Sequence, residues 1–285
     1  MILVTGAAGK TGRAVIRALA ARGAAVRALV HRADQRDVVT EAGAREVVTG
    51  DLRVASDLLP ALEGVRAVYH IPPNVSPDEV TMGEAVIEAA LAAGVERLVY
   101  HSVLHPQVEA MPHHWLKLRV EEALFASGLP YTILQPTAYV QNVLGQWQSI
   151  VEEGRYVVPY AVETRLSLVD LEDVAEAAAL VLTAPGHLWA TYELVGTEPL
   201  SQTEVAAQLS RALDRPVRAE ALSRKVWAEQ ARASGLGEYQ VETLLKMFRY
   251  YERFGFSGNS RVMEQLLGRP ARSFGSFAAE AAHDS

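Results

Sequence analysis

Cysteine is absent from this 285-residue chain, so disulfide bonds, thiolate catalysis and cysteine-ligated metal sites are excluded. Positive charge is scarce as well: the formal net charge is −7, whereas a nucleic-acid groove needs the opposite sign. Long apolar runs are missing, since Met1–Val4 is too short for a signal peptide and residues 174–185 are too few to cross a bilayer. Neither His105 nor His114 has a third ligand at metal-binding spacing, so no metal site is expected. We therefore expect a cytoplasmic protein with no nucleic-acid partner and no membrane contact.

The first half of the chain alternates short β-branched runs with alanine- and leucine-rich periodic segments, which is typical of βαβ units and a parallel sheet. Strands are predicted at residues 2–5, 25–30, 46–49, 67–71, 97–102 and 131–135, with helices at 10–22, 56–62, 78–93 and 112–127. After Pro136 the predicted elements are a helix at 139–153, an extended piece at 156–160, strands at 166–169, 192–195 and 217–220, and a helix at 170–183.

These patterns predict an α/β fold, with a doubly wound parallel Rossmann sheet and a smaller, mostly helical C-terminal lobe. The nucleotide-binding domain is predicted at residues 1–136, with 166–196 returning to its sheet. Residues 137–165 and 197–285 are expected to form a lobe for a substrate or a partner. The oligomeric state stays open.

The strongest motif lies between the first strand and the first helix, where Gly6, Gly9 and Gly12 follow one another at intervals of three residues. The first glycine permits the tight turn, the second lets the backbone approach a pyrophosphate, and the third lets the helix pack closely. Free N–H groups at the start of the helix and the helix dipole favour an anion there. The predicted phosphate-binding residues are Gly6, Ala8, Gly9, Lys10, Thr11 and Gly12. The alternative is a glycine-rich turn without a ligand.

The second predicted strand ends at His31 and Arg32, without the acidic residue that usually binds both ribose hydroxyls of NAD. Arg32 can instead make a bidentate contact to a phosphate, and Lys10 adds positive charge nearby. The cofactor is therefore predicted to be NADP(H). The alternative is that both cations are solvated on the surface.

The GxxGxxG spacing resembles that of the short-chain dehydrogenase/reductase superfamily. This resemblance implies that Asp51 and Leu52, after the third strand, lie against the adenine. It also implies that Ile71, Pro72, Pro73 and Asn74, after the fourth strand, pass under the adenine ribose and phosphates. The alternative for Asp51 is a residue of a turn or helix cap.

Typical members of that superfamily carry Tyr-x-x-x-Lys on the fifth helix, where four residues place both side chains on one face. Here Lys117 is present, but His113 stands at the tyrosine position. This departure is similar to the NmrA-like, atypical subgroup, whose members include quinone, triphenylmethane and benzylic ether reductases. The resemblance implies that Lys117 binds the nicotinamide ribose. His113 is either a general acid, since imidazole titrates near neutrality, or a partly exposed residue at a helix start.

The resemblance extends over nearly the whole chain, and it adds further cofactor-binding residues around the nicotinamide. Those implied are Ser102, Pro136, Tyr139 and Asn142, with Gln141 standing where the family has glutamate. Two functions remain in competition. One is an NADPH-dependent oxidoreductase that transfers hydride to a small, flat or apolar acceptor such as a quinone. The other is a catalytically silent NADP(H)-sensing regulator that binds a protein partner. A sugar-nucleotide epimerase is disfavoured because its tyrosine is absent.

Overall fold

The structure of the protein is a computed structural model in which residues 1–284 are described. The strands are β1 (Ile2–Val4), β2 (Val26–Val30), β3 (Glu46–Thr49), β4 (Ala67–His70), β5 (Arg97–His101), β6 (Tyr131–Pro136), β7 (Ala138–Tyr139), β8 (Arg155–Val158), β9 (Arg165–Leu166), β10 (Leu168–Val169), β11 (Ala190–Leu194), β12 (Leu200–Ser201) and β13 (Arg218–Ala221). The helices are α1 (Lys10–Ala21), α2 (Arg36–Glu41), α3 (Ala55–Ala61), α4 (Glu79–Ala92), α5 (Pro112–Ser127), α6 (Trp147–Glu153), α7 (Leu171–Thr183), α8 (Gln202–Ala212), α9 (Arg224–Ala233), α10 (Glu238–Phe254), α11 (Arg261–Leu267) and α12 (Phe274–His283), with 3-10 turns at Ala33–Gln35 and Val140–Gln146.

Seven strands form the main sheet, in the order β11-β6-β5-β4-β1-β2-β3. The pairs from β3 through β6 are all parallel. The chain starts in the middle of the sheet, extends to one side through β2 and β3, and then continues on the other side of β1 from β4. The strand order therefore reverses between β1 and β4, and in open α/β sheets this reversal creates the crevice where ligands bind. The predicted α/β Rossmann fold is confirmed.

The chain divides into two compact units. Unit 1 comprises Met1–Gln107, His113–Pro136 and Val174–Tyr192, and unit 2 comprises Val108–Pro112, Thr137–Asp173 and Glu193–Ser285. The prediction that 166–196 returns as a whole to the main sheet differs from the structure. Residues Leu166 and Leu168–Val169 pair with β12 and β7 in small sheets of their own, and only β11 joins the main sheet.

Two local features also differ from the predictions. The helix predicted at 139–153 is a short strand, a 3-10 turn and then α6, because Val140 and Val143 are buried in the core of unit 2 at a spacing that a 3-10 turn also provides. The short helix α2 was not predicted, since its six residues carry one buried apolar side chain, Val39, and no periodic pattern.

The core of unit 1 lies between the main sheet and the helices α3, α4 and α5. Side chains of β1, β4, β5 and β6, among them Leu3, Val68, Tyr100 and Ile133, pack there against Val86, Val120 and other apolar residues of the helices. The central strands β1, β4, β5 and β6 are buried along nearly their whole length, which explains their nearly continuous apolar sequences. Unit 2 has a separate core, built from α8, α12 and the 3-10 turn.

None of the helices within residues 1–284 is long and apolar enough to cross a membrane.

Candidate functional site

The loop after β1 places its three glycines in three different situations. Gly6 has a positive φ of 55°, and a Cβ there would lie 2.5 Å from the Ile71 carbonyl oxygen. A Cβ on Gly12 would lie 2.4 Å from the Gly6 carbonyl oxygen and 2.7 Å from the Ala7 Cα. Gly9 has an ordinary extended backbone, and a Cβ there would meet one atom, the Gly6 carbonyl oxygen, at 3.2 Å. The fold itself therefore requires Gly6 and Gly12, whereas Gly9 keeps a space open beside the loop.

Helix α1 begins directly at Gly9 without a side-chain cap. The N-cap residue Gly9 has no side chain that could accept a hydrogen bond from the first N–H groups, and no acidic residue lies in the first turn. By contrast, α8 begins with a full capping box between Ser201 and Glu204. An uncapped helix start next to an open glycine fits a phosphate, because the N-terminal N–H groups and the helix dipole attract an anion.

Thr5 joins the ends of the two central strands at this crevice. Its hydroxyl accepts a hydrogen bond from the Ile71 N–H at 3.0 Å and is 3.0 Å from Nδ1 of His70. These bonds hold Ile71 against Gly6, at the point where the strand order reverses. Beyond Ile71, Pro72 is buried, and Pro73 and Asn74 are exposed at the same edge of the sheet.

The residues that follow β2 are basic and exposed. The Arg32 guanidinium contacts the exposed carboxylate of Asp34 at 3.1 Å, and its backbone N–H binds Gln35. An exposed ion pair of this kind contributes less than about 1 kcal/mol, so a phosphate can compete for the guanidinium. His31 lies 3.5 Å from Asp51.

Asp51 lies after β3, in a turn that Arg53 closes. Both Asp51 carboxylate oxygens accept from the Arg53 guanidinium, and one of them also accepts from the Arg53 N–H. These hydrogen bonds hold the pKa of the Asp51 carboxyl well below its usual range. The neighbouring Leu52 side chain packs in the core of unit 1, so its backbone is what remains for contact with a cofactor.

Ser102 follows β5 and is buried. Its hydroxyl donates a short hydrogen bond to Glu121, which also accepts two bonds from the Gln135 amide at 2.9 and 3.1 Å. Burial raises the pKa of the Glu121 carboxyl. Because the Ser102 hydroxyl already donates its one hydrogen bond to Glu121, Ser102 could contact a ligand only as an acceptor.

Lys117 is buried on α5, close to the carboxyl end of β5. Its ammonium donates to Oε1 of Glu79 at 3.0 Å and to the His101 carbonyl oxygen at 3.0 Å. Tyr100 donates to the same Glu79 oxygen at 2.8 Å, and its ring lies 5.3 Å from the Lys117 nitrogen. The Glu79 side chain is 0% exposed and that of Lys117 is 7% exposed, so the pair forms a nearly dry ion pair.

His113 lies one helical turn before Lys117, and its burial corrects the expectation of a partly exposed residue. The residue is 7% exposed, so it is not a partly exposed residue at a helix start. Burial, followed by the charge of Lys117, holds its pKa well below the usual histidine value. This shift favours the neutral imidazole.

Comparison with known families assigns the chain to one of them. The model of the NmrA-like family matches residues 1–274, which is nearly the full chain. The chain belongs to the NmrA-like family.

Three proteins similar to this NmrA-like chain are reductases or oxidoreductases by name. The NAD(P)H azoreductase of Xenophilus azovorans is 35% identical over 98% of this chain and 96% of its own length. The (4-alkanoyl-5-oxo-2,5-dihydrofuran-3-yl)methyl phosphate reductase of Streptomyces griseus is 34% identical, over 98% and 97%. The crystal structure of an NADPH-dependent quinone oxidoreductase from Escherichia coli, complexed with NADPH, is 26% identical and has a TM-score of 0.86, with 99% of both chains covered.

In this NmrA-like chain, Tyr139 and Asn142 belong to unit 2, and Asn142 is exposed. Gln141, which replaces the family's glutamate, has a local role. Its amide donates to Asp170 at 2.8 Å, and its carbonyl oxygen accepts from the Leu171 N–H at 3.0 Å. Gln141 thereby fixes the start of α7. Pro136 is buried at the end of β6.

Sequence reasoning missed Glu79 and Thr5. Glu79 follows Asp78 at the start of a helix, where acidic residues usually face solvent and stabilise the dipole. Its burial depends on where α5 places Lys117, which no local pattern reveals. Thr5 gives a weak signal, since it is a hydroxyl residue between an apolar strand and the first glycine of the loop.

Proposed function

We propose that this NmrA-like protein is an NADPH-dependent oxidoreductase that transfers hydride to a small, flat or apolar acceptor such as a quinone. The observation that carries the proposal is the crevice at the reversal of strand order. There the open Gly9 and the uncapped start of α1 lie at the same sheet edge as the ordered Lys117. The azoreductase and the quinone oxidoreductase among the relatives support it.

The roles of the individual residues follow from their positions. The backbone of Ala8, Gly9, Lys10 and Thr11 would bind the pyrophosphate at the start of α1. Arg32 would bind the 2′-phosphate, and Asp51, with the backbone of Leu52, would face the adenine. Residues 71–74 would line the ribose, Ser102 would accept from the nicotinamide end, and Lys117 would hold its ribose. Pro136, Tyr139 and Asn142 stay in the predicted cofactor-binding set.

Bound NADPH would supply the hydride, which leaves the protein little acid–base chemistry to perform. The neutral His113 and the absence of the usual tyrosine both indicate that no side chain at this place donates a proton near neutral pH. A quinone or an activated double bond can take its proton from water after reduction. A simple ketone depends more on a protein acid, so the site favours the former acceptors.

The preference for NADPH over NADH tests the cofactor assignment. We expect NADPH to bind more tightly, because a charge-assisted contact from Arg32 contributes about 1.5–3 kcal/mol. In Arg32→Ala the preference should fall by about tenfold or more, with NADH affinity unchanged. Titration of cofactor fluorescence measures both affinities. Equal affinities in the unchanged protein would contradict the assignment.

The activity is tested by NADPH oxidation against quinones, azo dyes, aldehydes and activated alkenes. We expect turnover with quinones or azo dyes and little with aldehydes. If NADPH binds but none of these acceptors oxidises it, the catalytic proposal fails, and the NADP(H)-sensing regulator becomes the better explanation.

A further inference from the structure

Glu79 is a buried carboxylate to which the proposed chemistry gives no role. Its Oε1 accepts from both Lys117 and Tyr100, and its Oε2 is buried without a hydrogen-bond partner among residues 1–284. A buried charge with one oxygen unsatisfied is costly to maintain, and replacing such a pair by apolar residues is often neutral or stabilising. A local stabilising role therefore does not account well for Glu79.

The geometry at Lys117 supplies a different reason. Two of the three ammonium protons are fixed, one on Glu79 and one on the His101 carbonyl oxygen. A tetrahedral ammonium held at two points cannot rotate, so the direction of its third N–H is fixed as well. Without Glu79, burial would favour the neutral amine, which has one donor fewer and no charge.

We propose that Glu79 is a positioning residue for the reaction: it keeps the Lys117 ammonium charged and oriented, so that the third N–H is presented to a ribose hydroxyl of the cofactor. This inference rests on the proposed function, because it takes Lys117 as the residue that binds the nicotinamide ribose.

The surroundings of Lys117 make the effect of pH readable. The titratable groups that face it are Glu79 of α4, His70 of β4, Tyr100 and His101 of β5, and His113, His114 and Glu121 of α5. Burial lowers the pKa of His70 and His101 to about 3 and that of His114 to about 4, and raises the pKa of Tyr100. His70, His101 and His114 are therefore neutral throughout pH 6 to 9.

The first experiment measures NADPH affinity of Glu79→Gln between pH 6 and 9 by cofactor fluorescence. Glutamine keeps the size and one acceptor but removes the negative charge with which the Lys117 ammonium is paired. We expect affinity close to that of the unchanged protein at pH 6 and about tenfold or more weaker at pH 9. Asp173→Asn is the matched control, since it removes an equally buried carboxylate that is paired with a cation, Arg269, outside the proposed cofactor site; it should introduce no such pH dependence. A Glu79→Gln affinity that follows the unchanged protein at every pH overturns the proposal.

The second experiment needs no cofactor. The chain has four lysines, so the Lys117 side-chain ¹³Cε signal can be assigned and titrated by NMR. Lys117 should titrate at a lower pH in Glu79→Gln than in the unchanged protein. An unshifted titration overturns the proposal. Because this readout is independent of NADPH, it also separates the two failures: a protein that does not bind NADPH refutes the proposed function, while the lysine titration still tests Glu79.

The third experiment is a double-mutant cycle with Lys117→Met, which remains decisive if Glu79→Gln does not fold. The double variant Glu79→Gln/Lys117→Met carries no buried charge at this place and should fold. If Glu79 acts through Lys117, the double variant binds NADPH with the same affinity as Lys117→Met. A further loss of about threefold or more in the double variant would show that Glu79 acts by another route, and the proposal would fall.

Discussion

The imidazole of His113 is surrounded by buried groups, and its surroundings set its charge. Burial disfavours the protonated ring, and Lys117, His114 and His101 add repulsion. Its Nδ1 is buried without a hydrogen-bond partner in the part of the chain described by the structure. Burial, the lowered pKa and the unpartnered nitrogen therefore favour an uncharged packing residue at the position of the usual tyrosine.

Replacement of His113 by leucine tests this interpretation. We expect His113→Leu to fold with equal or greater stability, since it removes a buried nitrogen that lacks a partner. Turnover with a working acceptor should stay within about threefold of the unchanged enzyme, with the same pH–rate profile between pH 6 and 8.5. Steady-state kinetics with NADPH in excess gives both quantities. A proton donor would instead show a loss of about 10²–10⁴ in turnover.

The loop between β1 and α1 is the proposed phosphate-binding element, and its three glycines have different structural roles. Gly6 and Gly12 allow the loop and the helix to approach within the distances that the fold requires. Gly9 has φ −69° and ψ 162°, which any residue adopts, and it has one close neighbour. A side chain at Gly9 therefore costs the fold little but occupies the space beside the uncapped helix start.

The substitution Gly9→Val separates binding from folding. We expect a folded protein that has lost about 1 kcal/mol of stability, as valine is a poor N-cap, and that binds NADPH too weakly to measure. Gly237→Val is the matched control, because Gly237 is also the N-cap of a helix, with φ −68° and ψ 155°, and has no close neighbour. It should lose similar stability and keep its NADPH affinity. Thermal unfolding and cofactor titration report the two effects, and a folded Gly9→Val protein with normal NADPH affinity would contradict the placement of the phosphate.

For Gly12→Val the expectation differs. Its Cβ would overlap backbone atoms of the loop at 2.4–2.8 Å, so loss of folding is expected along with loss of binding. A stable Gly12→Val protein would show that the packing of α1 on the loop is looser than the structure indicates.

At the scale of the whole molecule, buried histidines make the fold sensitive to acid. The pKa values of His70 and His101 are lowered to about 3 and that of His114 to about 4, in each case first by burial. In the unfolded chain these rings gain a proton near pH 6.5, while in the folded protein they remain neutral. Their contribution to stability is therefore present above pH 6.5 and is lost as the pH falls towards 4. Glu121 has the opposite sign, because its raised pKa favours the folded state at low pH.

We expect the free energy of unfolding to decrease as the pH is lowered, by roughly 3–4 kcal/mol per pH unit near pH 5. This slope corresponds to a net two to three protons taken up on unfolding. Urea unfolding at pH 8, 7, 6 and 5 measures this slope. His114→Leu removes one of the titrating groups, so the slope should decrease by about 1.4 kcal/mol per pH unit. A stability that stays level between pH 7 and 5 would show that the histidines are solvated.

The sequence by itself determined the features that depend on local periodicity and on short-range spacing. Alternating apolar runs predicted β1 to β6 and the helices α1, α3, α4 and α5, and three glycines at fixed intervals identified the loop after β1. The basic residues after β2, His31 and Arg32, are also a local feature, because they follow the strand directly in the sequence. The resemblance to the NmrA-like family rested on Lys117 with His113 at the tyrosine position, and membership is confirmed by the family model over residues 1–274.

The tertiary structure alone decided the charge and orientation of the side chains, because burial and long-range contacts set both. Glu79 and Lys117 are separated by 38 residues, and Ser102 and Glu121 by 19, yet both pairs are in hydrogen-bond contact. Burial by neighbouring elements lowers the pKa of His113. The short strand Leu168–Val169 pairs with Ala138–Tyr139, and no periodic pattern specifies that pairing. The sequence identifies which groups are present, whereas the free energy of desolvation, which depends on packing between distant segments, determines what each group does.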